Sequence, residues 1–217
     1  MNPRFSNQRN HALTRVEVLV IIVVLVVLAA ILLPILAVSK KKSSRINCVG
    51  NVKEISLAYR VWAGDNNDKY PMGVSVTNGG SMEMVATGNV MQTFLVMSNE
   101  LSTPKILICP ADTRTAAPNF IRLNNQNLSY FMALDADESN PQKFLDGDRN
   151  IHGDTEPQNG ILMLTPGDPV RWTSQMHGNM GNLGLSDGSV QQLTSSGLET
   201  MLRHSGESTN HWRISLP

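Results

Sequence analysis

At 217 residues the chain has room for one large domain or two small ones, and 41% apolar residues is too rich a supply of core material for a disordered protein. Its 18 basic and 18 acidic side chains cancel, which excludes a polycationic nucleic-acid binder and gives no whole-chain field to attract a polyacidic partner. Two cysteines, Cys48 and Cys109, exclude a disulfide scaffold and lack the paired spacing of a zinc site.

The charges are unevenly placed. Arg4, Arg9 and Arg15 precede an apolar run, Lys40, Lys41, Lys42 and Arg45 follow it, and acids dominate from Asp135 to Glu156. The polar middle third, rich in Asn, Ser, Gly and Thr, suits an extracytoplasmic surface. From Val18 to Val38 there are 21 residues without a charge, enough at ~1.5 Å per helical residue to cross a ~30 Å hydrocarbon layer. The run exceeds the ~7–15-residue core of a secretory signal. Ala37-Val38-Ser39 nevertheless has the small-x-small form of a cleavage site, which keeps release behind Ser39 as an alternative. Basic residues at both ends leave orientation open. Glu17, at the mouth of the run, costs up to ~3 kcal/mol on insertion unless it stays at the interface or finds a partner.

Beyond Val38 the pattern Ile46, Val49, Val52, Ile55, Tyr59, Trp62 continues the helix at spacings of three and four. The turn-rich Gly64-Asp65-Asn66-Asn67-Asp68 should end it. A loop at Gly79-Gly80 and a short helix from Val90 to Leu101 follow. Strands are predicted at Lys105 to Cys109, Leu128 to Leu134 and Ile161 to Thr165. Asn182 to Leu193 reads as a hairpin turning at Asp187-Gly188, and Gly197 to His204 as a short amphipathic helix. No repeat or linker divides this soluble part, so it is expected to be one domain.

Ala12-Leu13-Thr14-Arg15-Val16-Glu17-Val18-Leu19 resembles the processing site of type IV prepilins and type II secretion pseudopilins. The resemblance implies that a prepilin peptidase cuts behind Ala12, that Leu13 becomes the methylated first residue, and that Glu17 meets the N-terminal amine of a neighbouring subunit during assembly. Pro34, 21 positions after Leu13, matches the helix-kinking proline common in that family. Two positions depart from its pattern: Ala12 stands where Gly is usual, and Arg15 where an apolar residue is usual.

Further resemblances are to the prepilin-type proteins abundant in Planctomycetes and Verrucomicrobia. They lie in Asn47-Cys48-Val49-Gly50-Asn51-Val52-Lys53, Ile108-Cys109-Pro110-Ala111-Asp112, Leu128-Ser129-Tyr130-Phe131 and the signature formed by His177, nine intervening residues and Asp187-Gly188. The implied fold is α+β and pilin-like, a long N-terminal transmembrane-plus-spine helix packed on a small antiparallel sheet. The implied organisation is a leader over 1–12, a transmembrane helix over 13–38, the exported half of the helix over 39–65 and a globular domain over 66–217. The protein would be single-pass in a bacterial inner membrane, with a cytoplasmic N-terminus and a periplasmic or extracellular C-terminal domain. Its partners would be prepilin peptidase, other pilin-like subunits and the membrane, with no nucleic acid.

Three function classes remain: a non-enzymatic pilin-like structural subunit, a tethered binding module that never polymerises, and, least favoured, a hydrolase released behind Ser39. No Ser or Cys nucleophile motif stands beside His177. The readings for His177 are a structural bond to Asp187 or to the hairpin backbone, or a ligand or partner contact. If the domain is exported, Cys48 and Cys109 are expected to form a disulfide closing a loop of about 60 residues, worth ~2–4 kcal/mol; the alternative is two separately buried thiols. No resident metal or cofactor is expected. His152, Asp154 and Glu156 have the residue types of a loop metal site but read as solvated turn chemistry. Asp135, Asp137, Glu138, Asp146 and Asp148 are oxygen donors suited to calcium, without the twelve-residue calcium-loop pattern. Lys40, Lys41 and Lys42 suit lipid headgroups.

Overall fold

A computed structural model describes residues 14–204 and 212–217. Ala12 and Leu13, the expected processing site, lie outside the described residues. The chain divides after Lys42 into two units, with helix α1 (Arg15–Gly64) running through the division.

In the first unit, α1 is exposed from Val16 to Val38, apart from Ala37, which is not described. It is a helix long and apolar enough to cross a membrane. Its start is a reciprocal cap that the sequence reading missed. The Thr14 N–H and hydroxyl donate to Glu17 Oε2 at 2.7 and 2.8 Å, and the Glu17 N–H donates back to Thr14 Oγ1 at 3.3 Å, the arrangement of a capping box. Pro34 lies inside α1, where its missing N–H removes one backbone bond.

The second unit is α+β. Helices α2 (Met82–Val85), α3 (Val90–Val96) and α4 (Ser98–Leu101) precede strands β1 (Tyr130–Ala133), β2 (Phe144–Asp148), β3 (Ile151–Gly153), β4 (Ile161–Leu164), β5 (Val170–Trp172), β6 (Met180–Leu185) and β7 (Val190–Thr194). Helix α5 (Ser195–His204) and strand β8 (Trp212–Ser215) complete it. Every strand pairing among the described residues is antiparallel. One sheet has the order β4-β8-β1-β2-β6-β7, and β3 pairs with β5 in a second.

Period-two alternation puts Tyr130 and Met132 of β1 into one core and Phe131 and Ala133 into the other. The first core contains Cys48, Val52, Ile55, Tyr59, Trp62 and Ala63 of α1, with Phe94, Leu107 and Leu128. The predicted stripe holds from Val52 to Trp62, but its first two residues do not join the core, Ile46 being 62% exposed and Val49 half-buried, and Cys48 takes their place. The second contains Trp172, Leu198, Leu202 and Trp212, with Phe144 stacked on Trp212 at 5.0 Å between ring centroids.

A bulge in β2 changes which core its acids face. Phe144 pairs with Leu185, but Asp146 pairs with the next residue, Gly184, leaving Leu145 extra. Phe144 therefore enters the second core and Leu145 the first. Asp146 and Asp148 then turn toward α1, where Ser56 Oγ donates to Asp146 Oδ1 at 2.8 Å and Cys48 Sγ to Asp148 Oδ1 at 3.1 Å. The bare backbone of Gly184 makes this possible, since a Cβ there would stand 2.1 Å from Asp146 Oδ1.

The predicted strand at Lys105 to Cys109 is instead a 3-10 turn, Pro104–Leu107, followed by irregular chain. Pro104 presets its first φ, and Thr103 caps it by accepting from the Lys105 N–H. The Asp187-Gly188 hairpin is a three-residue loop rather than a two-residue one. Gly188 N–H donates to the Leu185 carbonyl at 2.8 Å and Leu185 N–H to the Ser189 carbonyl at 2.9 Å, with Gly188 alone left-handed at φ 80. Strands β2, β3, β5 and β8 were not anticipated.

Candidate functional site

Four side chains from distant segments meet in the first core: Cys48 on α1, Cys109 after the 3-10 turn, Asp148 at the end of β2, and His177 in the loop before β6. One ligand atom from each lies within 4.8 Å of all the others. Cys109 Sγ is 3.2 Å from His177 Nε2, which is 3.4 Å from Asp148 Oδ2. Cys48, Cys109 and Asp148 have no exposed surface, and His177 has 3%.

Local backbone chemistry aims each group. The buried stripe of α1 carries Cys48. Pro110 follows Cys109, and the chain folds back so that the Ala111 N–H donates to Cys109 Sγ at 3.4 Å. Gly178 and Asn179, both left-handed at φ 65 and 63, reverse the chain after His177. Arg45 Nη2 holds the His177 carbonyl at 2.9 Å.

A polar shell surrounds the four. The Asn182 backbone N–H and Nδ2 donate to Asp148 Oδ2 at 2.7 and 2.9 Å, Tyr130 Oη contacts Cys48 Sγ at 3.3 Å, and Asn51 Nδ2 donates to Tyr130 Oη at 3.3 Å. Burial raises the Asp148 carboxyl to about 7 against the opposing pull of His177. Burial also pushes the Cys48 thiol up. Cys109 is drawn down to about 5, first by its hydrogen bond with Cys48 and then, against burial, by His177. For His177, burial opposes the charged form, but Cys109 and Asp148 outweigh it and raise its pKa.

Cys48 and Cys109, the pair expected to form a disulfide, are free buried thiols in this structure. Each sulfur has another partner, Cys48 with Asp148 and Tyr130, Cys109 with His177. The pairing of His177 with Asp187 is corrected. His177 belongs to the buried cluster, whereas Asp187 accepts the Ser189 N–H at 2.8 Å in the hairpin and offers its carbonyl to Arg60 at 3.1 Å.

The five carboxylates weighed for calcium do not converge. Asp135 grips Arg213 at 2.6 Å, Asp137 caps the turn to Ser139 and Asn140, and Glu138 pairs with Arg60 at 3.5 Å. Asp146 bonds Ser56 and Asp148 joins the cluster. His152 sits within β3, while Asp154 and Glu156 are exposed beyond it. The sequence contained no signal for Asn182 or Tyr130 in the cluster, because their roles depend on strand pairing.

The cluster is not arranged as a nucleophilic relay. A Cys-His-Asp relay uses the two ring nitrogens for different partners, and here Nε2 alone faces both the thiol and the carboxylate. A cavity lined by residues such as Asp65, Asn67, Lys69, Ser75, Asn78 and Met82 contains none of the four. No family model, curated protein or solved structure matches the chain.

Proposed function

We propose that this protein is a prepilin-like structural subunit, not an enzyme. Prepilin peptidase cuts it behind Ala12, Leu13 is methylated, and α1 holds it as a single-pass protein in a bacterial inner membrane. Its N-terminus is cytoplasmic and its pilin-like C-terminal domain periplasmic or extracellular. Through α1 it packs with other pilin-like subunits into a type II secretion pseudopilus or a type IV pilus-like filament. The observation that carries this reading is Glu17 in the first turn of a 50-residue helix, directly before an exposed charge-free run. A carboxylate so placed gains from a neighbour's amine what it loses on leaving water.

A tethered, non-polymerising binding module is the second reading, favoured by Arg15 and by the Thr14–Glu17 cap, which gives the carboxylate a partner within its own chain. Intact mass of the protein from cells with active prepilin peptidase tests the proposal. A chain beginning at N-methyl-Leu13 supports it, and an uncut N-terminus overturns it.

A further inference from the structure

We propose that Cys48, Cys109, Asp148 and His177 form a closed, four-coordinate binding site for zinc. The inference concerns the second unit alone and stands whether or not the chain is processed as a prepilin.

The donor set fits the metal. Two thiolates, an imidazole and a carboxylate match the sulfur, nitrogen and oxygen ligands that zinc accepts, and four protein ligands are what a structural site requires. Calcium and magnesium would need more oxygen donors. Geometry agrees: zinc bonds of ~2.0–2.3 Å imply tetrahedral edges of about 3.3–3.8 Å. Cys48 Sγ lies 3.1 Å from Asp148 Oδ1, Cys109 Sγ 3.2 Å from His177 Nε2 and His177 Nε2 3.4 Å from the other Asp148 oxygen, Oδ2, and one ligand atom from each of the four lies within 4.8 Å of the rest. Binding would draw these four ligand atoms onto edges of that tetrahedral length, with one Asp148 oxygen turned to the ion.

The surroundings are those of ligands held in place. Asp148 is oriented by two bonds from Asn182, the Cys109 sulfur receives the Ala111 N–H, and the Cys48 sulfur meets a hydroxyl that Asn51 holds. Outer partners of this kind orient ligands and tune the metal. The ligands come from α1, the loop after the 3-10 turn, β2 and the loop before β6, separated by 100 positions between Cys48 and Asp148 and 68 between Cys109 and His177. One ion would therefore pin four segments of the domain. Zinc takes two thiolates, a neutral imidazole and a carboxylate, so binding releases to solvent whatever protons the cluster holds, and the dication offsets most of the charge of the two thiolates and the carboxylate.

The test uses the full chain in detergent micelles, isolated without chelator or added reductant. About one zinc per chain, with both thiols alkylated only after denaturation and chelation, is the expected result. A mass lower by two hydrogens, with no zinc bound, means that a Cys48–Cys109 disulfide occupies the site and overturns the proposal. The chelated, reduced protein is then titrated with cobalt(II) alone. A thiolate-to-cobalt charge-transfer band and intense visible bands of tetrahedral cobalt are expected, lost in Cys109→Ser and His177→Ala and retained in His152→Ala. Because those variants also disturb a core, the wild type decides: folded by circular dichroism yet without the charge-transfer band, it overturns the proposal. So does a band that persists undiminished in Cys109→Ser.

Discussion

Arg149 clasps Asp112 with two hydrogen bonds, Nε to Oδ2 at 2.8 Å and Nη2 to Oδ1 at 2.7 Å. The pair joins the chain just after Cys109 to the residue following Asp148, so it braces two arms of the buried cluster from outside. Ser129 Oγ and the Thr113 N–H add bonds of 2.7 Å each to the same carboxylate. Burial works against the charge, but the Arg149 and Ser129 bonds hold Asp112 down at about 2.

Asp112→Asn should therefore destabilise the domain by about 3 kcal/mol, because it leaves a largely buried guanidinium without its counter-charge. The pH dependence has a definite sign. A carboxylate whose pKa is lowered from an unfolded value of ~3.9 contributes fully above about pH 4, and the contribution is lost as pH falls through about 2. Urea denaturation across that window should show wild type losing more stability than Asp112→Asn. Parallel curves would show that the ion pair does not set acid stability.

Glu17 has two roles to separate. Its bonds to Thr14 cap the helix, and either Glu or Gln serves at that position of a capping box. Only the carboxylate can neutralise a neighbouring amine. Glu17→Gln should keep membrane insertion and the cap yet reduce recovery in sheared filament fractions as severely as Glu17→Ala. Filament yield from Glu17→Gln equal to wild type would favour the tethered module.

Gly184 makes room for the buried Asp146–Ser56 pair, since a Cβ there would meet Asp146 Oδ1 at 2.1 Å and Ser56 Oγ at 2.7 Å. Gly184→Ala should cost ~1–3 kcal/mol through overpacking. Adding Asp146→Ala should recover part of that loss, a non-additivity readable in a double-mutant cycle of thermal melts. Strict additivity would mean that the two positions do not share the space.

At Gly188 the left-handed φ of 80 selects among substitutions. Gly188→Asn should be tolerated better than Gly188→Val, by about 1 kcal/mol or more, because Asn visits this region while a β-branched residue clashes there. Melting temperatures of the two variants check the order.

Local signals explain what could be read ahead of the structure. The charge-free run, the stripe ending at Trp62 and the halt at Gly64 are short-range patterns, and α1 runs from Arg15 to Gly64 as they imply. The alternation around Asp187-Gly188 likewise located the β6–β7 hairpin. Burial by distant partners decided the rest. Phe144-Leu-Asp-Gly-Asp148 has the composition of a loop, and it becomes a fully buried strand because β1 and β6 flank it. Cys48, Cys109 and His177 were conspicuous as single residues, but their meeting with Asp148 depends on the bulge at Leu145. One extra residue turns the β2 acids toward α1, and a register of that kind is set by the packing of the whole sheet rather than by any neighbour in sequence.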